Sequence, residues 1–389
     1  MNKKIYVGKA KGPINIALIK YWGKENEDLI TPLNNSISLT LDMNTFYTET
    51  KVTISKIKDN SNNEIKENIL TLTINGKPSN ITNRIKNVFK KFFSLDIPVC
   101  KELSSLLLNI KIESINTFPI ASGCASSASS MAALVLSIAS ALNIQNILSK
   151  TELSKIARLG SGSACRSIFG GICQWVTGDG NMSCAQQLYK NDYWDLGVKL
   201  IIVNQKEKDI SSSIGMKITK ETSELFKYRI NQVVKNNIEK LKKSLEEKDF
   251  NNFAEVVIKD SNNFHACCRD SYPSINYLNE ESDFIMKCVH TLNKINGKNI
   301  CAYTFDAGSN AFLIYEIKNK KIIDEFFDYI LGINDIVNID ELIKNIQIEK
   351  NENNINEINK LIKRRPEKEK IIKQVDFVLG EGAQIIFDD

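Results

Sequence analysis

Short β-branched or alternating apolar runs recur through the first hundred residues, at 14–20, 36–41, 46–54 and 69–74, each the length of one strand. Asn75-Gly76 closes the last of them with a turn signal. The period then changes: over 80–93, Ile81, Ile85, Val88 and Phe92 recur at helical spacing. The pattern next predicts a strand over 106–112, an apolar helix over 129–142, a short helix over 151–158 capped by Thr151, and strands over 171–177 and 198–203. The second half is mainly helical. Residues 223–247 read as one long amphipathic helix whose apolar positions are Leu225, Val233, Val234, Ile238, Leu241 and Leu245. Residues 253–260 and 282–294 continue that pattern, and 301–305 and 311–315 are two strands around a turn. Strands, then helices, then strands predict α+β layers and not a regular βαβ repeat. Residues 334–370 drift to Asn, Ile, Lys and Glu and read as a solvated helical tail.

Composition narrows the function classes. Charged residues at 25% and apolar residues at 42% exclude collagen-like and wholly disordered chains. Lys plus Arg is 51 against 46 Asp plus Glu, and a surplus of 5 spread over 389 residues is too thin to argue for a nucleic-acid partner, and none is expected. Nine cysteines with no CxxC pair, and only His265 and His290, give poor support for a zinc site. The cysteines read as small buried hydrophobes in a reducing, cytoplasmic compartment. After Met1 the apolar run is broken by Lys9, Lys11 and Pro13, so no signal peptide is expected. Residues 114–149 carry no charge, yet only 131–142 are strongly apolar, too short to cross a bilayer of ~30 Å. A small-residue loop running into a buried helix fits better than a membrane span.

Four stretches carry candidate chemistry. In 118–130, Gly, Ser and Ala precede the apolar helix, so bare backbone N–H groups, the helix dipole and hydroxyls can converge on a phosphate. No GxxxxGK[ST] is present, which excludes a Walker A loop. In Asn15-Ile16-Ala17-Leu18-Ile19-Lys20-Tyr21-Trp22-Gly23-Lys24, two lysines and a tyrosine at a strand end suit an anionic substrate, although two solvated lysines flanking a strand would look the same. In 158–171, a Gly/Ser turn exits at Arg166, whose guanidinium can grip a carboxylate or phosphate by two parallel bonds. In 303–310, Asp306 follows an apolar strand; it is a candidate general base, or else the cap of a turn.

The order and spacing of these blocks resemble the GHMP kinase superfamily, and within it the mevalonate diphosphate decarboxylases. NIALIKYWGK, the FPIASGCASS loop, GSGSACRS, KDISSSIGM, FHACCRDSYPSINYLN and YTFDAGSN carry the resemblance, from about Pro13 to Leu313 and again near Val378. Ile120 and Ser122 stand where that family's loop usually has Thr and Ala, Cys124 where Leu or Met is usual, and Ser309 in place of a frequent Pro. The resemblance implies a GHMP kinase-like α+β fold with an ATP-binding lobe over 1–195, a second lobe over 196–389 and a cleft between them. It implies ATP and Mg²⁺, a homodimer, and conversion of mevalonate 5-diphosphate to isopentenyl diphosphate in isoprenoid and sterol synthesis.

Residue by residue, the resemblance makes Asp306, Lys20 and Arg166 catalytic. It puts substrate on Tyr21, Trp22, Gly23, Lys24, Arg84, Ser161, Gly162, Ser163, Ala164, Cys165, Arg166 and Met216. It puts the nucleotide on Ser114, Ser122, Gly123, Ser126, Ser127 and Ser212, with no protein-bound metal cluster. A kinase that stops at phosphorylation, a decarboxylase of the monophosphate, and a catalytically dead binding protein share the scaffold. Retention of Asp306 and Lys20 argues against the first, product analysis separates the second, and retention of Asp306 and Arg166 argues against the third.

Overall fold

A computed structural model describes residues 4–57, 67–118, 126–204, 208–333 and 338–387. Its largest sheet runs, in spatial order, Gln384–Ile386, Ile5–Pro13, Tyr47–Lys56, Leu108–Asn116, Ile69–Ile74 and Lys77–Ser79. Only Ile69–Ile74 beside Leu108–Asn116 is a parallel pair in that sheet. Alternation in Leu108–Asn116 buries Leu108, Ile110 and Ile112, which the helix Ser126–Ala141 and its neighbours cover. The strand Ile5–Pro13 escapes the hydrophobic pattern because its inward positions are Gly8, Ala10 and Gly12. Those small residues have a packing reason. A Cβ on Gly8 would lie 2.2 Å from the Ser137 carbonyl oxygen, and one on Gly12 2.2 Å from that of Ser129, so the helix backbone lies directly on the strand.

A second, antiparallel sheet runs Ala185–Tyr189, Ile172–Trp175, Ser36–Thr40, Asn15–Ile19. A third, also antiparallel, runs Cys301–Phe305, Ala311–Glu316, Leu196–Ile202, Lys373–Val378. These two sheets share one core: Ile16, Leu18, Ile37 and Leu39 join Val198, Leu200, Phe305 and Leu313, with the helices Val234–Glu247, Phe250–Arg269 and Glu280–Ile295. The chain end returns to the first half, where Gln384–Ile386 pairs with Ile5–Pro13. The mixed α+β class is therefore as expected, and the site strand Asn15–Ile19 is seated against the second half of the chain.

Three local expectations are corrected. The helix expected over 151–158 is Lys150–Gly160, and its cap is Ser149, which shares a capping box with Glu152; Thr151 lies inside it. The helix expected over 223–247 is interrupted: Glu224–Tyr228, then a π turn Arg229–Val233, then Val234–Glu247. One extra residue per turn shifts the phase, so Leu225 is 47% exposed while Phe226 and Arg229 are buried. The described part of the region expected to be a solvated tail, 338–370, is packed onto the protein. Helices Ile339–Asn345 and Glu352–Ile362 bury Leu342, Ile343, Ile358 and Leu361 in the shared core. The eight described cysteines are buried and free, as expected of small hydrophobes. Among the described residues no helix is long and apolar enough to cross a membrane.

Candidate active site

A cavity of about 180 Å³ is lined from both halves of the chain. The strand Asn15–Ile19 contributes Asn15 and Ala17, two residues apart and so on one face. The strand ends at Lys20, and the chain then turns through Gly23, whose φ is +80°. A Cβ there would stand 2.7 Å from Leu33 Cδ1 and 2.9 Å from Phe226 Cζ, so only glycine makes this turn, which sends Tyr21, Trp22 and Lys24 into the cavity. Ser126 and Ser127 arrive at the N-terminus of the helix Ser126–Ala141, and Ser212 and Ser213 at that of Ser212–Thr222. Ser161 Oγ donates to Ser127 Oγ at 3.2 Å and ties its turn to the first turn of the helix Ser126–Ala141.

The charges are unequal. Lys20, Lys24, Arg84, Arg166 and Lys208, five cations, line the cavity beside one carboxylate, Asp306. Lys20 is 2% exposed, and its Nζ donates to Asp306 Oδ1 at 2.7 Å. Burial pulls the Lys20 ammonium below its ordinary pKa, and Asp306 opposes that pull. Among the described residues nothing bonds Asp306 Oδ2. Lys24 is buried and pairs with Glu27. Both lysines are thus inside, which removes the reading of a solvated pair flanking a strand. Arg84 Nη2 donates to Ser213 Oγ at 2.7 Å.

Arg166 is 2% exposed, and its donors meet only neutral oxygens: Ser38 Oγ at 2.9 Å, Ser36 Oγ at 2.8 Å and Asn15 Oδ1 at 3.4 Å. No carboxylate of the described residues pairs with it, and burial works against its charge. Lys208 Nζ reaches Ser212 Oγ and the Ala307 carbonyl, both at 3.0 Å, and burial lowers its pKa as well. The Tyr21 hydroxyl and the Trp22 indole N–H are buried without a partner among the described residues, and burial pushes the Tyr21 pKa up. A cavity with surplus cations, orphaned donors and two helix N-termini is built for a ligand of several negative charges. Among the described residues no group of three His, Cys, Asp or Glu side chains clusters to hold a metal. A magnesium ion here would therefore be held largely by the phosphates of a bound nucleotide.

Two family descriptions match most of the chain: a diphosphomevalonate decarboxylase-like N-terminal domain over residues 12–186 and a mevalonate 5-diphosphate decarboxylase C-terminal domain over 198–386. The chain belongs to the mevalonate diphosphate decarboxylase family. The diphosphomevalonate decarboxylase of Debaryomyces hansenii is 41% identical over 338 residues, 84% of each chain. A crystal structure of a mevalonate 5-diphosphate decarboxylase superposes with a TM-score of 0.80 at 34% identity, covering 98% of this chain and 97% of that one. A solved complex of MDDEF with MVAPP, AMPPCP and magnesium superposes at 0.73 with 31% identity, covering 98% and 99%.

Most residues implied by the decarboxylase resemblance meet in the cavity: Lys20, Tyr21, Trp22, Lys24, Arg84, Ser126, Ser127, Ser161, Gly162, Ser163, Arg166, Ser212, Met216 and Asp306. Gly23, Ala164 and Cys165 are buried but do not line it. Cys165 Sγ donates to the Gly162 carbonyl at 3.0 Å, and burial pushes its thiol up to about 12, so it supports the turn as a neutral group. Ser114 is not brought to the cavity; its hydroxyl pairs with that of Thr50 at 2.8 Å inside the large sheet. Ser122 and Gly123 lie outside the described residues. Asn15, Lys208 and Ser213 line the cavity and were not among the expected site residues. Asn15 shows in sequence as a polar residue two before Ala17 on an otherwise apolar strand, and Lys208 as the cation four residues before Ser212.

Proposed function

We propose that this chain catalyses ATP- and Mg²⁺-dependent decarboxylation of mevalonate 5-diphosphate to isopentenyl diphosphate, ADP, phosphate and carbon dioxide, in the mevalonate route to isoprenoids and sterols. The observation that carries the reading is the Lys20–Asp306 pair at 2.7 Å within a cavity holding four further cations. A tertiary C3 hydroxyl is a poor leaving group, and phosphorylation makes it a good one. As phosphate departs with the C–O electron pair, C3 becomes positive. The carboxylate then leaves as carbon dioxide, and its bonding pair forms the double bond.

Asp306 Oδ2 accepts the proton of the C3 hydroxyl, while Lys20 neutralises charge developing on that oxygen. Arg166 holds the substrate carboxylate in its planar fork. Tyr21, Lys24, Arg84, Ser161 and Gly162 hold the diphosphate, with Trp22, Ser163 and Met216 as the wall of that pocket. Gly23, Ala164 and Cys165 shape the pocket from behind. Ser126, Ser127 and Ser212 face the nucleotide phosphates, with Lys208 beside them. Magnesium, when bound, would supply charge neutralisation to those phosphates.

Incubation with ATP and mevalonate 5-diphosphate tests the reading, with carbon dioxide and isopentenyl diphosphate expected in step with ADP. ADP without carbon dioxide would make the chain a kinase that stops at phosphorylation. Faster turnover of the monophosphate would reassign the substrate, and no consumption of ATP would leave a binding protein. The two lobes, 1–195 and 196–389, are supported by the gap between the matched regions, apart from the returning strand Gln384–Ile386. Buried free cysteines support a cytoplasmic setting. The homodimer rests on family membership, and light scattering that finds only a 43.9 kDa species would reject it.

A further inference from the structure

Lys20 is held by its backbone as well as by its side chain. Its N–H donates to Asp260 Oδ1 at 2.9 Å, and its carbonyl accepts from Asn34 Nδ2 at 3.0 Å and Arg229 Nη2 at 3.3 Å. Asp260 and Arg229 are both fully buried and form a two-point pair: Nη2 to Oδ1 at 2.8 Å and Nη1 to Oδ2 at 3.2 Å. Asn237 Nδ2 adds a bond to Oδ2 at 3.0 Å, and Asn263 Oδ1 accepts from Arg229 Nη1 at 2.7 Å. The next residue of the same helix, Ser261, accepts from the Phe305 N–H at 3.1 Å, one residue before Asp306. His265, one turn further along, sets its ring edge-on to that of Phe305, with centroids 6.2 Å apart. One stretch of the helix Phe250–Arg269 therefore grips the main chain on both sides of the Lys20–Asp306 pair. None of Asp260, Ser261 and Arg229 lines the cavity.

Stability alone does not account for this arrangement. Replacing a buried ion pair with apolar residues is often neutral or stabilising, so two fully buried charges need another reason to be kept. The π turn Arg229–Val233 begins at the arginine and rotates it inward, where a regular helix would have continued the apolar face. Besides the bonds with Asn237 and Asn263, each member of the pair bonds the backbone of Lys20, the residue whose ammonium meets Asp306. We infer that Asp260, Arg229 and Ser261 are positioning residues that fix the separation of the Lys20 ammonium and the Asp306 carboxylate for phosphoryl transfer. The inference rests on the reading of the cavity given under Proposed function.

Two variants test it. Asp260→Asn combined with Arg229→Gln removes both charges together, so no lone charge stays buried, and Ser261→Ala removes the acceptor for Phe305 N–H. Turnover is measured per folded molecule, with calorimetric affinities for ATP and mevalonate 5-diphosphate. Misplaced reacting groups predict kcat lowered roughly 10–100-fold, with KM and both affinities held within about threefold. A merely structural role would lower the melting temperature and leave kcat per folded molecule where it was; that result overturns the inference. If the double variant does not fold, Ser261→Ala decides on the same two outcomes. Wild-type protein assayed alongside separates the two readings. A wild type that releases no carbon dioxide sinks the function, whereas active wild type matched by its variants sinks only the positioning role.

Discussion

Arg229 and Arg166 are buried to nearly the same depth, yet their partners differ in kind. Arg229 has a two-point bond to the Asp260 carboxylate, a side-chain amide and a backbone carbonyl. Arg166 has two serine hydroxyls and one amide oxygen, and no carboxylate among the described residues. A guanidinium taken out of water without a counter-charge is costly, so a fold that buries one in this way leaves part of its stabilisation to something outside the chain. The difference separates a finished region from an unfinished one. Around Asp260 every charge is answered within the protein. Around Arg166 the neighbouring carboxylate, Asp306, is already engaged by Lys20, and under the proposed function the counter-charge comes from the substrate carboxylate.

Four substitutions probe this contrast. Asp306→Asn keeps the shape and takes away the cavity's carboxylate. Turnover should fall by ~10²–10⁴-fold while substrate affinity changes little, as steady-state kinetics and calorimetry would read. A variant within a factor of about three of wild-type kcat would remove Asp306 from the mechanism. On the finished side, Arg229→Met strands Asp260 without its partner and should cost about 3–5 kcal/mol of stability in urea unfolding. An unchanged midpoint would mean that Asp260 is neutralised by another route.

Ser126→Glu introduces an internal anion at the helix N-terminus proposed to face the nucleotide. ATP affinity should drop by ~10-fold or more, while mevalonate 5-diphosphate binding without nucleotide survives. Normal ATP binding would move the nucleotide elsewhere. The smallest effect concerns His265, buried beside Lys20 and held neutral, its pKa lowered from 6.5 to about 3 by burial and by the Lys20 charge. The unfolded chain binds a proton below about pH 6.5 that the folded chain refuses, so stability from this group is lost as pH falls through that range. Between about pH 7.5 and pH 5.5 the wild type should lose about 1.4 kcal/mol more than His265→Gln. Equal losses in the two proteins would show that His265 titrates freely.

The unfinished side was the more legible one in sequence. Lys20, Lys24, Arg166 and Asp306 each sit in a short block beside a turn of small residues, and such blocks advertise themselves without knowledge of the fold. The finished side was silent. Arg229 and Asp260 lie 31 positions apart on two helices. The π turn at Arg229 also breaks the period on which the helix was read, so Leu225 was placed inside and Arg229 was not noticed. The strand Ile5–Pro13 was missed for a related reason: close packing on a helix demanded glycine and alanine where a strand usually shows β-branched residues. The core contribution of residues 339–362 was masked by an excess of Asn and Lys on their exposed faces.

Arg166→Lys tests the contrast most directly. Lysine keeps the positive charge and loses the planar fork, so the hold on the substrate carboxylate is lost while no protein ion pair is disturbed. The expected loss is ~1.5–3 kcal/mol of transition-state stabilisation, roughly one to two decades in rate. Thermal unfolding and steady-state kinetics on the purified variant read both sides at once. Lost turnover with an unchanged melting temperature is the predicted result. A lowered melting temperature, with normal turnover per folded molecule, would show that Arg166 completes the fold just as Arg229 does, and would contradict the account.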